Sequence, residues 1–119
     1  MNKFNAVTTI KDGKRFDSKK EANRFRELQL LERGGVISGL KRQVRYLLIP
    51  SQYDETGEFG EQGACIEKSV NYYADFVYFK NGKLIVEDCK GYKKGAAYEL
   101  FVIKRKLMLS VYGIKVLET

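Results

Sequence analysis

Asp75 is an isolated acid inside the aromatic run Tyr72-Tyr73-Ala74-Asp75-Phe76-Val77-Tyr78-Phe79, a setting where strand propensity disfavours it. Asp88 and Lys90 end a second apolar run, Leu84-Ile85-Val86-Glu87-Asp88-Cys89-Lys90. Strand side chains alternate between faces, so Asp88 and Lys90 share one side and Glu87 and Cys89 the other. Asn81-Gly82 between the two runs is a strong hairpin signal, and counting back from that turn brings Asp75 towards Asp88. Two carboxylates held together repel unless one protonates or a cation lies between them. All-oxygen ligands suit Mg²⁺ or Mn²⁺, so the pair predicts a divalent metal site with Asp75 and Asp88 as ligands and the Cys89 carbonyl as a third oxygen. The competing reading is an ion pair to Lys90 that only closes the end of the sheet.

The elements that must position these groups follow from periodicity. Asp12-Gly13 predicts a small hairpin over residues 8–16, after a loose basic start over 1–7. Ser18 predicts the N-cap of a helix over 18–33 that stops at Gly34-Gly35. Strands are expected over 36–50, 69–79 and 83–90, then a helix over 96–112 with the apolar face Leu100, Phe101, Ile103, Leu107, Met108 and Val111. Gly113 stops that helix and Ile114 to Leu117 make a last short strand. The order helix, three strands, helix, strand predicts a small mixed sheet flanked by helices, an α/β (α+β) fold in a single domain spanning 1–119. Residues 51–68 carry five acids against one lysine and three glycines, which reads as a long mobile loop or an irregular hairpin extension.

Composition narrows the chemistry. The chain of 119 residues has a net charge of +7, and because 51–68 is net −4 the remainder carries +11. That balance fits a polyanionic partner, most simply nucleic acid, although solvated lysines also serve solubility. Histidine is absent, which removes every mechanism based on an imidazole base, nucleophile or metal ligand. No apolar run reaches membrane-span length, and the N-terminus lacks the apolar stretch of a secretion signal. With two cysteines, Cys65 and Cys89, in no CxxC spacing, a reducing, cytoplasmic setting is the expectation.

Asp75 followed by Asp88-Cys89-Lys90 resembles the D-(x)n-(D/E)-x-K signature of the PD-(D/E)XK nuclease superfamily. Ala74 stands where the superfamily name has proline. The wider segments KFNAVTTIKDGKRFDSKKEANRFRELQLLERGGVISGLKRQ, YYADFVYFKNGKLIVEDCKGYK and IKRKLMLSVYGIKVLE are similar to a prophage-borne family of short nuclease-like proteins. The resemblance covers nearly the whole chain apart from the acidic segment. It implies a restriction-endonuclease-like core and a Mg²⁺-dependent endodeoxyribonuclease of phage recombination, repair or DNA processing in a bacterial host. It also marks Gln43 as a contributor to the site and allows a first-helix glutamate to complete the metal site.

Glu21 has two readings. Ser18-Lys19-Lys20-Glu21 fits a capping box, in which Glu21 reaches back to the cap. Glu21, Phe25, Leu28 and Leu31 also form one helix stripe, which puts Glu21 at the end of the face that packs against the sheet, and there the resemblance implies a role as metal ligand. Lys90 is expected to orient the attacking water or to stabilise charge on the phosphorane. Lys19, Lys20, Arg24, Lys93, Lys94 and Lys104 are expected to contact phosphates without reading bases, with Tyr92 stacking. Duplex or branched DNA is the expected substrate, and a homodimer would supply two sites. The alternatives are a non-catalytic nucleic-acid-binding module of a DNA-processing complex, and an interaction domain whose acidic segment docks a basic partner.

Overall fold

The computed structural model describes residues 9–11 and 14–16 as backbone, and 18–91 and 93–119 with side chains. The basic start, the Asp12-Gly13 turn and Tyr92 lie outside the described residues. Two short strands, β1 (Thr9–Lys11) and β2 (Lys14–Phe16), pair antiparallel with Lys11 opposite Lys14.

Helix α1 (Lys19–Arg33) starts where predicted, because the Ser18 hydroxyl accepts the Glu21 N–H at 3.1 Å. It ends at two glycines with a division of labour: Gly34 keeps helical angles, and Gly35 takes the left-handed conformation at φ 78°. Strand β3 (Ser38–Ile49) follows. Residues 51–68 then form the hairpin extension, β4 (Gln52–Tyr53) against β5 (Cys65–Glu67), held by one buried acid. The Asp54 carboxylate, 2 % exposed, accepts the N–H groups of Gly57 at 2.7 Å and Phe59 at 3.0 Å.

Strands β6 (Val70–Lys80) and β7 (Lys83–Asp88) form the expected antiparallel hairpin, with Asn81 and Gly82 both at positive φ. Helix α2 (Ala96–Tyr112) is closed by left-handed Gly113. Strand β8 (Leu117–Glu118) starts three residues later than predicted, because the Ile114 N–H is spent on the Met108 carbonyl in the helix cap. Sheet order is β3-β6-β7-β8, with β7 and β8 parallel, so the four-stranded sheet is mixed as predicted.

The chain divides into two compact units, 1–44 with 74–93 and 116–119, and 45–73 with 94–115. In the first, α1 lays Ala22, Phe25 and Leu28 against Ile37, Phe76 and Tyr78, and the Phe25 and Phe76 rings stack at 6.0 Å. In the second, α2 buries only Phe101 and Met108, and Tyr72 and Tyr98 pack their rings against Phe101. Leu100, Ile103 and Val111, expected on its packed face, are about half exposed.

Candidate active site

The hairpin register fixes the first two acids. Phe76 is paired with Glu87, and one step further along the ladder sets Asp75 beside Asp88. The Asp75 carboxylate accepts the Cys89 N–H at 2.8 Å, which ties the middle of β6 to the residue after β7. Lys90 Nζ lies 2.8 Å from Asp88 Oδ1, as the shared face predicted. Beyond Asp88 the chain leaves the strand but is still laced to β8: the Thr119 N–H donates to the Asp88 carbonyl at 2.9 Å, and the Lys90 N–H to the Thr119 carbonyl at 3.2 Å.

Helix α1 brings the third acid. Glu21 is 4 % exposed, and Gln43 Nε2 lies 3.2 Å from both Glu21 Oε1 and Asp75 Oδ1. Gln43 does this from a left-handed backbone conformation at φ 50° inside β3, an unusual one for a residue with a Cβ and one that re-aims its side chain. Arg42 Nη2 approaches Glu21 Oε1 at 3.9 Å, and its guanidinium carbon sits 5.3 Å from the centre of the Phe25 ring. Glu21 is therefore both the first-turn acid of a capped helix and a member of the carboxylate group. Lys20 ties α1 to the stretch after β7 by donating from Nζ to the Lys90 carbonyl at 2.7 Å.

Electrostatics follow from this crowding. Burial, then the Asp88 and Glu21 charges, push the Asp75 carboxyl up to about 7, and the Cys89 N–H and Lys90 only partly offset them. Glu87 behaves in the opposite way. Burial works against its charge, but hydrogen bonds from Arg24 and Tyr78 outweigh burial and hold its carboxyl below the ordinary value.

Several expected contacts are redirected. Arg24, expected to face phosphate, is instead bidentate to Glu87 through Nε at 2.9 Å and Nη2 at 2.8 Å, with Nη1 on Glu27 at 2.9 Å. Lys93 lies 4.0 Å from Glu118 and is 57 % exposed in its side chain. Lys19 and Lys94 are exposed, and Lys104 lies on α2 in the other unit. An open cleft of about 360 Å³ is lined by Lys20, Asn23, Arg24, Glu27, Cys89 and Thr119. Sequence reasoning missed Arg42, whose only sign was its place beside Gln43, and missed Tyr78, whose hydroxyl was hidden within an aromatic run.

Among the described residues no three carboxylate or thiol groups already stand as a ready-made metal cage. The amide of Gln43 and the ammonium of Lys90 hold the carboxylates instead. The donor set nevertheless fits a hard divalent cation. It is all oxygen, two of its acids are almost fully buried, and its third is charge-frustrated by the other two. No helix among the described residues is long and apolar enough to cross a membrane. A family model described as "Protein of unknown function (DUF1064)" matches residues 1–116. No curated protein and no solved structure matches the chain.

Proposed function

The chain belongs to the DUF1064 family, whose description carries no activity, and from the site we propose that it is a divalent-metal-dependent DNA endonuclease. The observation that carries this reading is the meeting of Glu21 and Asp75 on Gln43, with Asp88 beside Asp75 and Lys90 on Asp88 at 2.8 Å. Asp75 and Asp88 would hold Mg²⁺ or Mn²⁺, with Glu21 and the Cys89 carbonyl completing the oxygen set. When bound, such an ion supplies Lewis acidity towards a phosphate oxygen and a lowered pKa for bound water.

The chain's own residues do the rest. Lys90 presents its ammonium at the carboxylate group, where it orients a water molecule or stabilises charge growing on the phosphorane. Lys20 fixes the Lys90 main chain through its carbonyl, so the direction of that ammonium is set from α1. Gln43, with one amide nitrogen on two carboxylates, holds them at a common point and can turn its amide oxygen inward. Phosphodiester hydrolysis by this set needs no imidazole, in keeping with a chain that has no histidine. The exposed Lys19, Lys93 and Lys94 are left to meet the phosphates of a duplex or a branched DNA, and the charge of +7 favours that encounter. Cutting both strands would take two such sites, which a homodimer supplies.

Supercoiled, branched and single-stranded DNA incubated with Mg²⁺ or Mn²⁺ test the proposal. Cleavage by the wild type that is lost in D88A and in K90A supports it. DNA binding without cleavage in either metal supports the second reading, a non-catalytic binding module in which the Asp88–Lys90 pair only closes the end of the sheet.

A further inference from the structure

Behind the three acids lies a second ionic group that the proposed chemistry does not use. Glu87 is 1 % exposed, yet both of its carboxylate oxygens are engaged. Arg24 grips both of its oxygens, at 2.9 and 2.8 Å, and the Tyr78 hydroxyl donates to Oε2. These three residues come from α1, β6 and β7, the elements that carry Glu21, Asp75 and Asp88. The correspondence is close in sequence: Arg24 lies one helical turn after Glu21, Tyr78 three residues after Asp75, and Glu87 immediately before Asp88. Because successive strand residues point to opposite faces, whatever fixes Glu87 also fixes the direction of Asp88.

We infer that Glu87 is a positioning residue: with Arg24 and Tyr78 it forms a knot that sets the register of α1 on β7, so that Glu21 reaches Asp75 and Asp88. A bidentate guanidinium–carboxylate pair suits this task because its planar fork defines an orientation as well as a distance. An apolar contact at the same place would let the helix slide or roll, since hydrophobic packing is non-directional. The knot spans a separation of 63 residues, so it draws together parts of the chain that no local turn constrains. Lys20, gripping the Lys90 carbonyl from the same helical turn, sets the second point of the register.

The inference rests on the metal reading above, and its test keeps the two apart. Two variants are compared with the wild type. R24M/Y78F/E87L removes all three polar partners together, so that no charge is left buried alone, and E87Q keeps the shape of the side chain while removing its charge. Mn²⁺ affinity is measured by calorimetry, and amide hydrogen exchange is followed over the first turn of α1 in metal-free protein. Groups that orient metal ligands typically change affinity by about 10–100-fold when removed. The triple variant is expected to fall in that range and E87Q to lose severalfold, with faster exchange at Glu21 and Ala22 in both. Wild-type affinity together with wild-type exchange in either folded variant overturns the inference. Should the triple variant not fold, E87Q decides alone. Should the wild type bind no Mn²⁺, the metal reading fails, and the exchange data still decide whether the knot fixes the first turn.

Discussion

Two groups of buried acid lie back to back on the same three elements. Glu87 is enclosed by a guanidinium and a phenol, and its carboxyl is held below its ordinary value. Asp75 is enclosed by two other carboxylates, and its carboxyl is pushed up to about 7. Burial acts on both in the same direction; the counter-charge decides the outcome. Glu87 is a satisfied charge that fastens the fold. The Asp75 group carries unrelieved repulsion that one amide and one ammonium only partly answer. A protein gains nothing in stability from such an arrangement, and under the proposed function the repulsion is what a bound cation would relieve.

The largest effect should come from breaking the satisfied side. Arg24→Met leaves Glu87 charged and unpaired, and stability measured by urea denaturation should fall by about 3–5 kcal/mol, the usual consequence of orphaning a buried ion. A loss below about 1 kcal/mol would mean that Glu87 is solvated after all, and the contrast between the two groups would disappear.

The frustrated side should respond with the opposite sign. The carboxyl of Asp75 lies above its ordinary value of 3.8 in the folded chain, so the folded state holds the proton more tightly than the unfolded state. Its contribution to stability is therefore present at pH 4 and is lost as pH rises towards about 7. Asp75→Asn should raise the melting temperature of metal-free protein by several degrees at pH 8 and leave it nearly unchanged at pH 4. Equal shifts at both pH values would show that Asp75 feels no such repulsion.

Gln43→Leu removes the one amide nitrogen shared by Glu21 and Asp75. A loss of about 1–2 kcal/mol at pH 8 is expected, since two carboxylates lose a donor and their repulsion is less well answered. The smallest effect belongs to the helix start: Ser18→Ala should cost about 1 kcal/mol, as a lost N-cap does, with Mn²⁺ affinity unchanged. A large fall in affinity in that variant would mean that the cap, not the knot at Glu87, places Glu21.

The contrast also marks what could be read from residues alone. Asn81-Gly82 places a turn, and counting back from it brings Asp75 towards Asp88, because each step is local and periodic; the register itself is set by the folded ladder, with Lys80 opposite Lys83. Alternation likewise separates Asp88 and Lys90 from Glu87 without any structure. The helix stripe of Glu21, Phe25 and Leu28 pointed to the packed face for the same reason, and all three are buried. In the sequence Arg24 looks like one more phosphate contact, because its partner Glu87 lies 63 residues away and no periodicity links them. Gln43 gave no local sign, since its role depends on a left-handed kink that its side chain does not announce. Asp54 was one acid among five in a polar segment. Only the folded hairpin shows that it is the buried one and that it holds the turn backbone at Gly57 and Phe59.

The central claim is that Glu21, Asp75 and Asp88 together hold one kind of divalent cation, and a calorimetric titration with Mn²⁺ tests it most directly. The account predicts saturable binding to the wild type, weakened at least tenfold by E21Q and abolished by D75N/D88N. Absence of binding to the wild type, or undiminished binding to D75N/D88N, would contradict it.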